Sequence, residues 1–351
     1  RMGRLPLLPL LLGLILVAIA SALVSVAFGS EQIPLIDVLA IVRNRLAGTP
    51  VASPLDTIVW DLRVPRALLA LIAGAGLSMA GAGMQTMVRN PLADPYLLGI
   101  SAGASVGATA VITTGFLAQF GVYALSAGAL VGALGAALAV YFVAQAQGGL
   151  TPLRMVLAGV VMSSAFSAIA SFMVFLSDDN RAATSVMFWM LGSLALANWD
   201  QMLLPFLALL TTMIVGMGIG SGLDAMSVSD ETAQVSGFHP QHLRMTSMLL
   251  ISACVAVLVS VAGQIGFVGL VIPHVARRLV GATNRSVIPV SALLGAILMV
   301  WADVIGRIAF QPREIPIGII TALVGTPALI ALVRRQYSQS SGLEAKRKSG
   351  K

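Results

Sequence analysis

Two arginines three residues apart, Arg63 and Arg66, open a long apolar run. At helical spacing they share a face, and the planar guanidinium fork suits two-point recognition of a carboxylate. Asp303 and Arg307 lie four apart near the end of a later apolar run, where they can pair with each other. By residue type alone, these charges read either as interfacial anchors with a local ion pair or as receivers for a partner's carboxylates. A second kind of chemistry is mechanical. After Gln85, the segment Asn90-Pro91-Leu92-Ala93-Asp94-Pro95 breaks the backbone at the end of a helix. Its prolines cannot donate, so the freed carbonyls need protein or water partners, which membrane proteins supply mainly beside a cavity. Pro273 interrupts a later run, Gly263 to His274, in the same way. Gln85, Asn90, Pro91, Pro95 and Pro273 are therefore expected near a pore.

Other chemistries find little support. His239 and His242 fall together in a polar stretch, and His274 precedes Arg277 and Arg278. None has further ligands at metal-site spacing, so no metal is expected. No G-x-x-x-x-G-K-[ST] phosphate loop occurs, nor a nucleophile paired with a base, so no catalytic residue is assigned. Only Asp303 and Arg307 come close to intramembrane charge. Ion-coupled carriers bury ionisable groups at mid-depth, which disfavours a secondary transporter. The single Cys254 lies in an apolar run and says nothing about redox compartment.

These residues are set in a chain that cannot have much aqueous surface. Of its 351 residues, 58% are hydrophobic and 10% charged, where a soluble domain carries roughly a quarter charged. Glycine, at 35 residues, suits membrane helices that pack by close backbone approach. The fold class is an all-α integral membrane protein, polytopic, with about ten transmembrane helices. The apolar runs cover 5–28, 64–87, 96–113, 121–146, 154–176, 202–219, 243–262, 264–280, 286–309 and 315–333. The chain begins at Arg1, and the first run lacks a small-residue cleavage pattern, so it reads as a retained helix rather than a signal peptide. Residues 1–337 form one transmembrane domain. The basic stretch 338–351 is either a natural tail or a cloning remnant.

With both termini cytoplasmic, that side holds 14 basic and 5 acidic residues, and the other side 7 and 9. The bias follows the positive-inside rule. It accounts for the net charge of +7 without invoking nucleic acid. A weak inverted repeat is also expected. Ser78-Met79-Ala80-Gly81 recurs 182 residues later as Ser260-Val261-Ala262-Gly263, and Pro91, Leu97 and Gly99 match Pro273, Leu279 and Gly281.

In order and spacing, Arg63-Val64-Pro65-Arg66, the 90–95 break, the 263–274 segment, and Ala302 to Arg307 with Glu314-Ile315-Pro316 resemble the FecCD-type permeases. These are membrane subunits of ABC importers for ferric siderophores, haem and cobalamin. The resemblance implies a homodimer in the bacterial cytoplasmic (inner) membrane, multi-pass, with a pore between the two chains. It implies an ATPase subunit carrying the ATP and Mg, an extracytoplasmic binding protein, and no cofactor on this chain. Arg63, Arg66 and Arg307 match arginines that receive glutamates of the binding protein. The stretch 224–244 contains Glu231-Thr232-Ala233-Gln234-Val235-Ser236-Gly237 and looks like the loop that seats in the ATPase. Asp230, Glu231, Ala233 and Gly237 are its expected coupling residues, with glycine free to turn the corner. Ser229 and Ser236 depart from the family's Gly and Leu; the alternative is an ordinary solvated connector. The implied function is inward passage of an iron chelate, haem or ferric siderophore, with cobalamin and an ion-coupled carrier as the alternatives.

Overall fold

The computed structural model describes residues 6–29, 31–49, 53–146, 148–179, 181–331 and 334. The stretch 338–351 lies outside the described residues. Ten of the helices fall on the ten expected runs. They are α1 (Leu7–Ala27), α3 (Pro54–Met87), α4 (Ile100–Thr114), α5 (Ala124–Ala146), α6 (Pro152–Phe175), α8 (Leu203–Gly218), α11 (Pro240–Ala262), α12 (Val268–Val280), α13 (Asn284–Ile308) and α14 (Ile317–Ala331). Four more fall between them: α2 (Leu35–Leu46), α7 (Ala182–Met190), α9 (Gly220–Val228) and α10 (Asp230–Val235). Among the described residues, seven helices are long and apolar enough to cross a membrane. α12, at 13 residues, spans about 20 Å and cannot cross a 30 Å hydrocarbon layer alone.

α3 is the axis of the molecule. Its apolar window is 89% buried, against 11% for α1, so α3 is core and α1 faces outward with Leu12 and Leu16 exposed. The reason is its small-residue composition, Ala-Gly-Ala-Gly at 73–76 and Ala-Gly-Ala-Gly at 80–83. A Cβ on Gly74 would lie 2.2 Å from the Gly295 carbonyl oxygen of α13, and one on Gly81 would lie 1.8 Å from that of Gly269 in α12. Glycine here is what lets three backbones touch, the close approach on which membrane helices depend. α4 and α5 pack by the same device, Gly103 against Gly132 and Gly107 against Gly128.

Three segments differ from the sequence expectation. The polar stretch before residue 64 is structured: α2 is amphipathic, and α3 begins at Pro54, through a π-helical turn at Ile58–Arg63. The run at 96–113 starts with a short 3-10 turn, Pro95–Leu98, before Gly99 at φ 75° admits α4. The run at 264–280 is helical only from Val268, after Phe267 at φ 69°. The residue matches of the expected repeat fall at unlike places. Gly81 lies inside a helix and Gly263 ends one, while Pro91 lies between helices and Pro273 within one. What does recur is the order long, short, long, in α3–α5 and in α11–α13.

Candidate functional site

α3 carries a charged cluster at each end. At its N-terminal end, Arg63 donates from Nη1 to the carbonyls of Val26 (2.9 Å) and Ala27 (3.2 Å), and from Nη2 to that of Glu31 (2.7 Å). Arg307 donates to Phe28 O (2.7 Å) and Ser25 O (3.2 Å). A helix end leaves its last carbonyls without intrahelical donors, and α1 has no basic residue in its last turn. Arg63 and Arg307 therefore cap α1 from outside, placing positive charge at its negative end. Gly29 makes room, since a Cβ there would sit 2.5 Å from Arg63 Nη2.

Arg66 turns elsewhere. Its Nε donates to Asp303 Oδ1 at 2.9 Å, and its Nη1 and Nη2 meet Glu314 at 3.2 and 2.9 Å. Arg307 Nε approaches Asp303 Oδ2 at 3.0 Å. That Nε has no partner in hydrogen-bond geometry, so the contact is one of charge. The expected Asp303–Arg307 pair is thus present, with Arg66 added to it. Arg63 and Arg66, expected to share a face, reach different partners within the chain. Arg63 and Arg307 are 8% and 7% exposed. The surrounding basin, about 750 Å³, is also lined by Glu31 and Glu314. Three arginines are offset there by Glu31, Asp303 and Glu314, and Glu314, with its side chain 48% exposed, is loosely held.

At the other end of α3 lies the 224–244 stretch. Ser229 caps α10, its Oγ accepting from Thr232 N at 3.0 Å, which gives the departure from Gly a physical role. Gly237 at φ 85° turns the chain after α10, and Phe238 N closes onto Ala233 O at 2.9 Å. Ala233 is fully buried beneath this corner, while Glu231 and Val235 face outward. Asp230 is the clamp. Arg244, 1% exposed, meets it with both Nη atoms at 2.8 and 2.6 Å. Arg89, from the end of α3, pairs with the same carboxylate and donates to Met226 O at 2.8 Å. The Arg244 hydrogen bond above all holds the Asp230 carboxyl below the usual carboxylate range. A second tie joins Asp224 Oδ1 to the backbone N (2.8 Å) and Nδ2 (2.6 Å) of Asn284 on α13. Asn284 in turn accepts from Thr86 of α3 at 3.1 Å. Sequence reasoning found Asp230 but missed Arg89, Arg244, Asp224 and Asn284 as its framework, because their contacts span up to 198 positions.

The helix breaks are also accounted for. Asn90 and Asp94 accept from Leu92 N and Tyr96 N at 2.9 and 2.8 Å, so the 90–95 segment satisfies itself. Pro273 cannot donate to the carbonyl four residues back, Gly269. Gln85 Nε2 donates to it instead at 3.3 Å, and to Leu270 O at 3.1 Å. Gln85 and Pro273 thus form one packing unit, held also by Arg277.

An apolar cavity of about 640 Å³ has a wall of Tyr96, Met190, Leu191, Gln264, Phe267 and Leu323 among others. Its polar groups are few. Tyr96 Oη is satisfied by Ile265 N and O at 3.0 and 3.1 Å, and Gln264 Nε2 donates to Ser101 O and Ser105 Oγ. Backbone bonds from Ile317 N to Gly192 O and from Gly318 N to Leu191 O join α14 to α7 across it. None of Gln85, Asn90, Pro91, Pro95 or Pro273 lines this cavity. Gln85, Asn90 and Pro91 border a pocket beside the 224–244 loop. Pro95 and Pro273 are buried packing residues.

The fold is multi-pass and helical, with an apolar cavity and a loop clamped to its central helix. The chain belongs to the FecCD transport family, whose model matches residues 14–335. It is 34% identical to the ferric enterobactin transport system permease protein FepD of Escherichia coli, over 92% of this chain and 94% of that one. It is 31% identical to the molybdate import system permease protein MolB of Haemophilus influenzae, over 92% and 95%. Among solved structures, a metal-chelate type ABC transporter in an inward-facing conformation superposes with a TM-score of 0.80 at 32% identity, covering 93% of this chain and 98% of that one. The chain is an ABC transporter permease.

Proposed function

We propose that two copies of this chain form the pore of an importer that passes an iron chelate, haem or a ferric siderophore, across a bacterial cytoplasmic membrane. Similarity alone does not choose the cargo, since an enterobactin and a molybdate permease lie at like distance. The cavity wall carries the choice. At about 640 Å³ with no charged residue in its lining among the described residues, it has the size and apolar character of sites for drug-sized ligands. A small oxyanion would lose its hydration there without gaining a charged partner.

Both termini are cytoplasmic in this reading, and a separate ATPase subunit carries ATP and Mg. ATP binding closes the ATPase pair and moves α10. Asp230 passes that movement to Arg89 on α3 and Arg244 on α11, and the helices rock to open the cavity inward. At the opposite end an extracytoplasmic binding protein docks over Arg66. Because that guanidinium is already engaged, docking proceeds by exchange, with a glutamate of the binding protein taking the place of exposed Glu314.

Uptake into proteoliposomes tests this reading. The chain and its ATPase are reconstituted with lumenal ATP, the binding protein is added outside, and haem, a ferric siderophore, cobalamin and molybdate are supplied in turn. ATP-dependent accumulation of haem or the siderophore is expected. Accumulation of molybdate or cobalamin alone overturns the cargo assignment, and accumulation indifferent to ATP promotes an ion-coupled carrier.

A further inference from the structure

Beside the clamp, a pocket of about 400 Å³ opens between the end of α3, the end of α12 and the start of α13. Arg89, Asn90, His274, Arg277, Arg278 and Asn284 line it, and among the described residues no carboxylate does. The acidic groups of the adjoining loop are already engaged, Asp224 by Asn284 and Asp230 by Arg244 and Arg89. The basic groups are not used up in the same way. Arg277 gives its Nη atoms to Gln85 Oε1 and Ala82 O, both neutral, so its charge is uncompensated. Arg278 is exposed at the rim and makes no hydrogen bond or ion pair among the described residues. With Arg89 paired to Asp230, the pocket keeps two unneutralised guanidiniums and an imidazole facing one space.

Two cations crowded without a counter-charge repel each other, and a pocket that gathers them is stabilised by an anion offering several acceptor oxygens. The location narrows the anion further. The pocket lies where α12 ends and α13 begins, on the side of the 224–244 loop, which the topology proposed above puts at the cytoplasmic face of the membrane. Basic pockets between helices on the cytoplasmic side suit lipid phosphates. We infer that this pocket binds a phosphate group, supplied by the headgroup of an anionic phospholipid or by free phosphate, with Arg278 and Arg277 as its principal holders. The inference does not depend on the cargo or on the ATPase.

Native mass spectrometry of the detergent-solubilised full chain, titrated with phosphatidylglycerol or phosphatidylcholine, tests the lipid source. Thermal unfolding with inorganic phosphate against matched chloride tests the free ion. Phosphatidylglycerol is expected to be retained over phosphatidylcholine, with retention falling about fivefold in Arg278→Gln and largely kept in Arg278→Lys, as one cationic contact implies. Should the headgroup not be retained, stabilisation by phosphate that Arg278→Gln removes assigns the site to the free ion. Because Arg278 is exposed and unpaired, the variant should fold, and its unfolding temperature in chloride confirms this. Equal retention of the two lipids together with no specific stabilisation by phosphate, or binding indifferent to Arg278→Gln, overturns the site.

Discussion

The two ends of α3 use the same chemistry, arginine against carboxylate, to opposite effect. From Arg66 to Arg89 the helix runs about 35 Å at 1.5 Å per residue. At the Arg66 end, charge serves mainly to close the protein on itself. Arg63 and Arg307 are spent on carbonyls at the end of α1, and Glu314, an exposed partner of Arg66, can leave. At the Arg89 end, one carboxylate is gripped by two guanidiniums, one of them buried. A cluster with a loosely held member suits a contact that must form and break. A two-sided clamp on a short helix suits a contact that must transmit force. The glycine-lined middle of α3 joins the two, because backbones in contact leave little slack for bending.

That comparison breaks most severely if the middle gives way. Gly81→Ala places a methyl group 1.8 Å from the Gly269 carbonyl, with backbone on both sides. The expected cost is at least about 3 kcal/mol, the upper range for overpacking, read as a lower midpoint of thermal unfolding in detergent. An unchanged midpoint would mean that α3 and α12 are not in close contact. Glu314→Gln sharpens the outer end. If docking works by exchange, removing the competing charge should tighten binding-protein affinity about threefold, in the range of an exposed ion pair. Weaker binding would show that Glu314 itself touches the partner. Ser229→Ala removes the cap of α10 and should cost about 1 kcal/mol, seen as faster amide exchange at Thr232 with the membrane helices unaffected.

The smallest expected effect is that of pH. The folded Asp230 carboxyl is held below its ordinary value near 3.9. Its contribution is therefore complete above that value and is lost only as pH falls through the lower folded one. Amide exchange in α10 should be the same, after correction for intrinsic rates, from pH 8 to pH 5. A loosening within that window would mean that the carboxylate is not held by its arginines.

Much of the architecture was legible because it is written locally. Apolar runs mark ten of its helices. The π turn before Arg63 and the short helix α7 were not, since neither has the length of a span. The partners of the arginines were least legible. Arg66 and Glu314 lie 248 positions apart, and no spacing rule reveals that two residues chosen for outward-facing chemistry cap α1 instead. Gln85 and Pro273 were both singled out, yet their joint role needed the geometry: one supplies the donor that the other lacks.

The most direct test of the account measures cargo uptake and ATP hydrolysis in the same proteoliposomes, for the unaltered chain and for Asp230→Ala. Cutting the clamp should lower the amount of cargo moved per ATP by about tenfold, as expected when a buried guanidinium loses its partner. Unaltered uptake per ATP, with the ATPase still bound to the variant, would contradict the claim that Asp230 carries the stroke from the loop to α3.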